Sequence, residues 1–299
     1  MKILKINDVD LAYDSYGDES DEAILLIAGL GTQMIRWTVP FCQELADLGY
    51  RVIRFDNRDA GCSTHFTGCP VPDFGTLAAI IRAGQQPHVP YTLDDMAQDT
   101  IGLLDALCVD RAHVVGRSMG GMIAQIVASQ YSERVASLTS IMSSTGNPTL
   151  PQAAADVMAM MTQPKPHPAS DERGFLAHSL IFARRIAGNG HPFDEQNLRA
   201  LIQEEIRRGY DPSAFARQLA AIAVAGDLRP RLAAIKAPTL VVHGVDDPLI
   251  LPACGKDTAS SIPYAELMLV AGMGHDLPSP LYKTIASAID RTARRGLIS

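Results

Sequence analysis

Short runs of apolar residues alternate along most of the chain with stretches in which apolar residues recur every three or four positions. The runs have the length of strands, and those at 24–27 and 238–244 contain few polar residues, which is typical of strands buried on both faces of a parallel sheet. The alternation of strands with helices predicts an α/β fold with a mostly parallel, twisted sheet flanked by helices. About eight strands are expected, at residues 3–6, 11–16, 24–27, 51–55, 112–115, 135–142, 238–244 and 266–270.

The alternation is interrupted between residues 146 and 227. Helical periodicity and proline-rich joints continue there, but no segment has the pattern of a strand. An all-helical insertion in an α/β sheet protein is typical of a lid over the active edge. The sequence therefore predicts a core made of residues 1–145 and 228–299, with a helical cap (lid) at 146–227. Cap helices are expected at 152–161, 174–186, 194–208 and 212–223.

Three helices of the predicted core have recognisable boundaries. One is expected at 35–48, where Gly49 would end it. Another begins at Thr92, which forms a capping-box pattern with Asp95. The last is expected at 281–294, followed by Gly296.

The segment from Val114 to Gly121 carries the first candidate chemistry. A strand meets Gly-Arg-Ser-Met-Gly at 116–120 and passes directly into a helical pattern, which is the context in which Gly-x-Ser-x-Gly forms a nucleophile elbow. Gly116 and Gly120 leave room for strained backbone geometry at Ser118, and this strain would hold the hydroxyl out at the carboxyl edge of the sheet. Ser118 is therefore the predicted nucleophile.

A general base and an orienting acid for Ser118 are also present. A serine hydroxyl needs both, and proteins with this elbow carry them in the chain order serine, acid, histidine. Asp246 and Asp247 follow the strand at 238–244, and His275 follows the last strand. Both loops leave the carboxyl ends of parallel strands, so either aspartate could meet His275 and Ser118. Spacing alone leaves the two aspartates nearly equivalent.

Two backbone N–H groups are expected to form an oxyanion hole. One belongs to Met119, directly after the nucleophile. The other comes from the Gly29-Leu30-Gly31 loop after the third strand, with Leu30 as the expected donor. Gly29 is also expected at the substrate pocket.

Composition and charge argue against several other classes of protein. A net charge of −7 disfavours binding to nucleic acid. No apolar run approaches the ~18 residues of a membrane span, and the first residues alternate as in a short strand, so a cytoplasmic location is expected. The five scattered cysteines and the histidines show no metal-ligand spacing, so neither a metal nor a cofactor is expected. The expected partner is a small-molecule ester, and a homodimer is left open.

Five motifs spread over nearly the whole chain can be compared with a known family. They are the Gly29 loop, Asp56-x-Arg58-x-x-Gly61-x-Ser63, the Ser118 elbow, Gly244-x-x-Asp247-Pro248, and Gly272-Met273-Gly274-His275. Together they resemble the α/β-hydrolase superfamily, and residues 58–64 and 272–278 are similar to its aclacinomycin methylesterase-like branch. The resemblance implies the α/β-hydrolase fold. It also favours Asp247 as the acid, because the position directly before the proline is the usual one in such loops.

Three positions near the predicted site depart from the family pattern or leave two interpretations open. Ala28 stands where many members have histidine, which should remove a structural hydrogen bond. Arg117 precedes the nucleophile where uncharged residues are common. It would either contact an acidic group of the substrate or pair with a carboxylate behind the elbow, and we favour a buried or paired role. Trp37 is expected at the substrate pocket, with core packing as the alternative.

The placed residues and the resemblance together predict a serine esterase that uses a Ser118–His275–Asp247 triad, forms an acyl-enzyme and needs no cofactor. A cofactor-free haloperoxidase or perhydrolase, or a carbon–carbon bond hydrolase, would use the same triad. A non-enzymatic receptor or scaffold is the remaining alternative, and it would not require Ser118.

Overall fold

The computed structural model describes residues 1–295 and contains one eight-stranded sheet. The strand order is β1-β2-β4-β3-β5-β6-β7-β8, and every pair is parallel except β1 with β2 and β2 with β4. This confirms the predicted α/β fold. The strands are β1 (Lys2–Ile6), β2 (Val9–Tyr16), β3 (Glu22–Ile27), β4 (Tyr50–Phe55), β5 (Ala112–Arg117), β6 (Val135–Ile141), β7 (Thr239–Gly244) and β8 (Glu266–Val270).

Helices cover both faces of this sheet. The core helices are α1 (Val39–Ala46), α2 (Phe74–Arg82), α3 (Leu93–Ala106), α4 (Met119–Gln130), α9 (Arg229–Leu232), α10 (Pro252–Ser261) and α11 (Tyr282–Arg295). Leu25 and Ile27 pack in one apolar cluster with α3 and α4, whereas Ile24 and Leu26 pack in the other with α1 and α11. Successive residues of β3 thus face opposite layers, which explains its unbroken apolar sequence.

The helix expected at 35–48 is divided in the structure. A 3-10 turn occupies Met34–Arg36, and α1 begins only at Val39 because Trp37 and Thr38 are extended. The Thr38 side chain accepts a hydrogen bond from the Phe41 N–H and so caps α1. Gly296, which follows the last predicted helix, lies outside the described residues.

Four helices and no strand occur between residues 146 and 227. They are α5 (Ala155–Thr162), α6 (Glu172–Ile186), α7 (Glu195–Arg208) and α8 (Ala214–Ala225). Phe175, Leu176, Leu180 and Ile202 form a small apolar cluster of their own between α6 and α7. Within residues 1–295, no helix combines the length and apolar character needed to cross a bilayer.

Candidate active site

Ser118 stands at a strained turn between β5 and α4. Its φ of 54° and ψ of −124° lie in a region that side chains rarely adopt. A Cβ on Gly116 would come within 2.0 Å of the Gly120 carbonyl oxygen, and one on Gly120 within 2.3 Å of the Ile27 carbonyl oxygen. Only glycine fits at either position, as the sequence pattern predicts. The Ser143 hydroxyl, in the loop after β6, donates to the Ser118 carbonyl at 2.7 Å and supports the turn.

His275 lies between Ser118 and Asp247. The Ser118 Oγ is 3.1 Å from His275 Nε2, and Asp247 Oδ2 is 2.7 Å from His275 Nδ1. The His275 side chain is only 8% exposed. The structure therefore brings together three residues that are separated by up to 157 positions in the chain.

Asp247 is held by its own loop. It is buried, and its Oδ1 accepts the N–H groups of Leu249 and Ile250 at 2.9 Å each, which leaves Oδ2 for His275. Asp246 is exposed, and it forms no hydrogen bond with His275 or Ser118. His243 lies behind Asp247, with Nε2 3.7 Å from Oδ2, and donates to the Ile250 carbonyl. Burial lowers the pKa of His243, so it stays neutral there.

The loop at Gly29-Leu30-Gly31 lies directly beside Ser118. A Cβ on Gly29 would be 3.1 Å from the Ser118 Cβ, so glycine permits this close approach. Among residues 1–295, the N–H groups of Leu30 and Met119 have no hydrogen-bond acceptor. Both are thus available to an oxygen atom bound next to Ser118.

Gln218 of α8 holds this loop in place, and the sequence interpretation missed it. Its Oε1 accepts the Gly31 N–H at 2.8 Å, while its Nε2 donates to the Arg58 carbonyl at 2.8 Å. Gln218 is fully buried. A signal was available, because Arg217 and Gln218 are the only polar residues within an otherwise apolar helix.

Asp56, from the loop after β4, ties the same region together. It accepts the Met34 N–H at 2.7 Å and the Cys62 N–H at 3.0 Å, and it pairs with Arg208 of α7. Burial raises the pKa of Asp56, although the charge of Arg208 opposes that shift. A Cβ on Gly61 would be 2.3 Å from Asp56 Oδ2, so this glycine makes the compact turn fit.

Trp37 differs from its expected place at the substrate pocket, and Arg117 lacks a carboxylate partner within residues 1–295. Trp37 is fully buried and stacks on Phe41 with ring centroids 5.4 Å apart, so it belongs to the core and does not form the pocket surface. Arg117 lies over Trp37, with its Cζ 5.5 Å from the ring centroid, and donates to the Arg36 carbonyl at 3.3 Å. No carboxylate of residues 1–295 pairs with Arg117, so the paired form of the role favoured from the sequence is absent, and Arg117 is half-buried. Burial, together with the charge of Arg36, lowers the pKa of Arg117 to about 10.

The loop that carries His275 is hydrogen-bonded to the segment after α6. The His275 N–H donates to the Ile186 carbonyl at 2.8 Å, and the Gly190 N–H donates to the Gly272 carbonyl at 3.0 Å. Asp276 accepts the Gly188 N–H at 3.3 Å. Backbones approach so closely that a Cβ on Gly188 would be 2.1 Å from the Gly272 carbonyl oxygen.

One cluster has the donor atoms to hold a metal ion. Single ligand atoms of Asp59, His65 and Asp211 all lie within 4.8 Å of one another. However, Arg217, which is buried, already binds both oxygens of Asp59 at 2.8 Å and also pairs with Asp211. The guanidinium therefore supplies the positive charge that these two carboxylates require.

Comparisons with known proteins agree with this architecture. A family model described as the alpha/beta hydrolase fold matches residues 22–278. The chain is 28% identical to rhodomycin D methylesterase DauP of Streptomyces sp. (strain C5), over 96% of each chain. It is 29% identical to the putative carbamate hydrolase RutD of Variovorax paradoxus (strain S110), over 89% of each. Among solved structures, the enol-lactonase from Burkholderia xenovorans LB400 aligns with a TM-score of 0.70 over 100% of both chains at 22% identity, a likeness that bears on the fold alone.

Proposed function

Because the chain belongs to the α/β-hydrolase family, we propose that it is a serine esterase that cleaves a carboxylic ester through an acyl-enzyme. One observation carries the proposal: the continuous hydrogen-bonded series from Asp247 Oδ2 through His275 to the Ser118 Oγ, at 2.7 and 3.1 Å. The similarity to a methylesterase over 96% of both chains supports the choice of an ester as the substrate.

In the proposed acylation step, the Ser118 Oγ attacks the ester carbonyl carbon while its proton moves to His275 Nε2. Asp247 holds Nδ1 and stabilises the positive charge that His275 gains. The carbonyl oxygen becomes an oxyanion and accepts the N–H groups of Leu30 and Met119. When the carbon–oxygen bond to the alcohol breaks, His275 returns its proton to the departing alkoxide, and the acyl group remains on Ser118.

Deacylation reverses these roles with water as the attacking group. His275 Nε2 takes a proton from water, and the hydroxide adds to the acyl carbon. The tetrahedral intermediate collapses by releasing the Ser118 oxygen, which regains the proton from His275. The products are the free acid and the active enzyme, with water as the only co-reactant.

We also propose that residues 146–227 act as a cap over this site. Two contacts support this role. Gln218 binds Gly31 of the Gly29-Leu30-Gly31 loop, which we call the oxyanion loop, and the Ile186 carbonyl accepts the N–H of His275. The cap would then exclude bulk water and shape the pocket for the ester.

A fluorophosphonate probe tests the nucleophile directly. Such a probe phosphonylates an activated serine, so it should label the wild-type protein and fail to label Ser118→Ala. Hydrolysis of p-nitrophenyl esters should disappear in the same variant. The buried Ser140→Ala variant, altered in the neighbouring strand β6, is the matched control and should still be labelled. Equal labelling of wild type and Ser118→Ala would exclude Ser118 as the nucleophile.

Two other assays distinguish the esterase from the alternative enzymes that use the same triad. Bromination in the presence of peroxide and acetate, at a rate above ester hydrolysis, would favour a perhydrolase. Cleavage of a vinylogous diketone in the absence of ester hydrolysis would favour a carbon–carbon bond hydrolase.

A further inference from the structure

Arg117 has unused hydrogen-bond donors next to the proposed nucleophile. A guanidinium offers five N–H groups, yet among residues 1–295 the only acceptor of Arg117 is the Arg36 carbonyl at 3.3 Å. Its Nε and Nη2 lack an acceptor within residues 1–295, but they are not sealed from solvent. An unpaired N–H group that is shielded from water costs free energy. These donors avoid that cost because they remain accessible to solvent beside the elbow.

Two more cations lie in the same region. Arg36 binds both oxygens of Glu205 at 2.7 Å each. The Lys165 Nζ lies 5.2 Å from the ring centroid of Phe215, and this ring packs against Gly31 of the oxyanion loop. Burial lowers the pKa of Lys165, while Glu205 opposes the shift and Arg36 adds to it, so Lys165 is within electrostatic reach of both.

Positive charge is therefore in excess at the junction of core and cap. We call Arg36, Arg117 and Lys165 the cation cluster. Within residues 1–295, the one carboxylate in ion-pair contact with the cluster is Glu205, which pairs with Arg36. Glu205 and Asp276 also attract Arg117, but neither lies within ion-pair distance of it. This excess occurs in a chain whose net charge is −7, so it is a local feature and not a consequence of overall composition.

A planar carboxylate is the anion that suits this arrangement. Carboxylates bind a guanidinium through two parallel hydrogen bonds, and Arg117 still has Nε and Nη2 without an acceptor within residues 1–295 while its Cζ lies over the Trp37 ring. From this geometry, and resting on the esterase function proposed above, we infer that the enzyme selects esters that carry a second carboxylate. Arg117 binds that carboxylate, and Lys165 adds long-range attraction from the cap.

The competing explanation gives Arg117 a structural role. In that case its contacts with Arg36 and Trp37 would support the turn that precedes α1, and its replacement would affect all substrates equally. Pairs of similar esters, of which one member carries a second carboxylate and the other does not, separate the two explanations.

Two matched substrate pairs provide the test. Monomethyl glutarate is compared with dimethyl glutarate, and 4-acetoxybutanoate with butyl acetate, by kcat/KM at low ionic strength. In the wild type, the charged member of at least one pair should be favoured by about tenfold or more, and added salt should reduce this preference. Arg117→Gln should lower kcat/KM for the favoured charged ester about tenfold to a hundredfold, and by less than about threefold for its neutral partner.

Three further variants sharpen the result. Arg117→Lys keeps the charge without the planar fork, so it should retain part of the preference. Lys165→Gln alters a cap residue that lies outside the triad and should cause a smaller loss, confined to charged esters. Arg111→Gln removes an exposed arginine at the opposite end of β5 and should change neither member of a pair.

The remaining outcomes overturn the inference. Equal losses on charged and neutral esters in Arg117→Gln would assign Arg117 the structural role. If the wild type is labelled by fluorophosphonate and hydrolyses neutral esters at least as well as their charged partners, the carboxylate site is refuted. The esterase function is then still supported. A wild type that is neither labelled nor active on any of the four esters would refute both.

Discussion

At the scale of single residues, burial distinguishes two neighbouring aspartates that the sequence leaves nearly equivalent. Asp247 is 2% exposed and has both carboxylate oxygens engaged, by its own loop and by His275. Asp246 is exposed. The two therefore provide a matched pair of variants at adjacent positions of one loop.

Asp247→Asn should lower kcat for ester hydrolysis by about 10³- to 10⁴-fold, because an amide in this position favours the wrong tautomer of His275 and cannot stabilise its charged form. Asp246→Asn should stay within about twofold of the wild type, as expected for an exposed side chain outside the site. Steady-state kinetics on a p-nitrophenyl ester measures both. A larger loss of kcat in Asp246→Asn would identify Asp246, and not Asp247, as the acid of the triad.

What the sequence could predict at this scale is limited to residues with local signals. Ser118 and its two glycines stand out because the strained turn requires them, and His275 because it follows the last strand. Gln218 and Ser143 support the site through contacts across 187 and 25 positions of the chain. The half-buried position of Arg117 without a carboxylate partner among residues 1–295 and the full burial of Trp37 also depend on tertiary packing, which the sequence pattern does not reveal.

At the scale of elements, the strands were predictable, whereas the division of the helix expected at 35–48 and the presence of α10 were not. Strands buried on both faces have continuous apolar sequences. The helix α10 lacks the apolar periodicity that marks an amphipathic helix, because its buried residues are small: Cys254, Gly255 and Thr258. A Cβ on Gly255 would be 2.5 Å from His243 Nδ1, so close packing there requires the absence of a side chain. Hydrophobic periodicity cannot reveal a helix that packs in this way.

The segment after α6 and the loop of His275 form a second element-scale feature, and Gly188→Ala tests its role. The added methyl group would collide with the Gly272 carbonyl and displace the loop that positions His275. A shift of about 1 Å at a catalytic group can cost about a hundredfold in rate. We therefore expect kcat to fall about tenfold to a hundredfold, with KM changed by less than about threefold.

Gly68→Ala is the control for this variant, because a Cβ there meets no atom within 4 Å. It should leave both kinetic constants unchanged. Thermal unfolding of the two variants shows whether the effect of Gly188→Ala is local. A loss of kcat without a comparable loss of stability supports the positioning role, whereas unchanged kcat in Gly188→Ala would contradict it.

At the scale of the whole molecule, Arg217 joins three parts of the fold. It lies on α8, is 1% exposed, and binds Asp59 of the loop after β4 as well as Asp211 at the end of the segment before α8. The Tyr91 hydroxyl, just before α3, also donates to Asp59. Burial raises the pKa of Tyr91, so its proton is retained and the donation persists over the neutral pH range.

Arg217→Met should therefore weaken the attachment of the cap helices to the core. Methionine approximates the volume of the stem but leaves Asp59 buried without its cation, and breaking a buried pair in this way costs about 3–5 kcal/mol. Arg207→Met is the control, since Arg207 pairs with Glu204 on the surface of α7 and its side chain is 69% exposed. An exposed pair of this kind contributes about 0–1 kcal/mol. Urea unfolding followed by circular dichroism should show a large drop in midpoint for Arg217→Met alone, and equal midpoints for the two variants would show that Arg217 does not join cap and core.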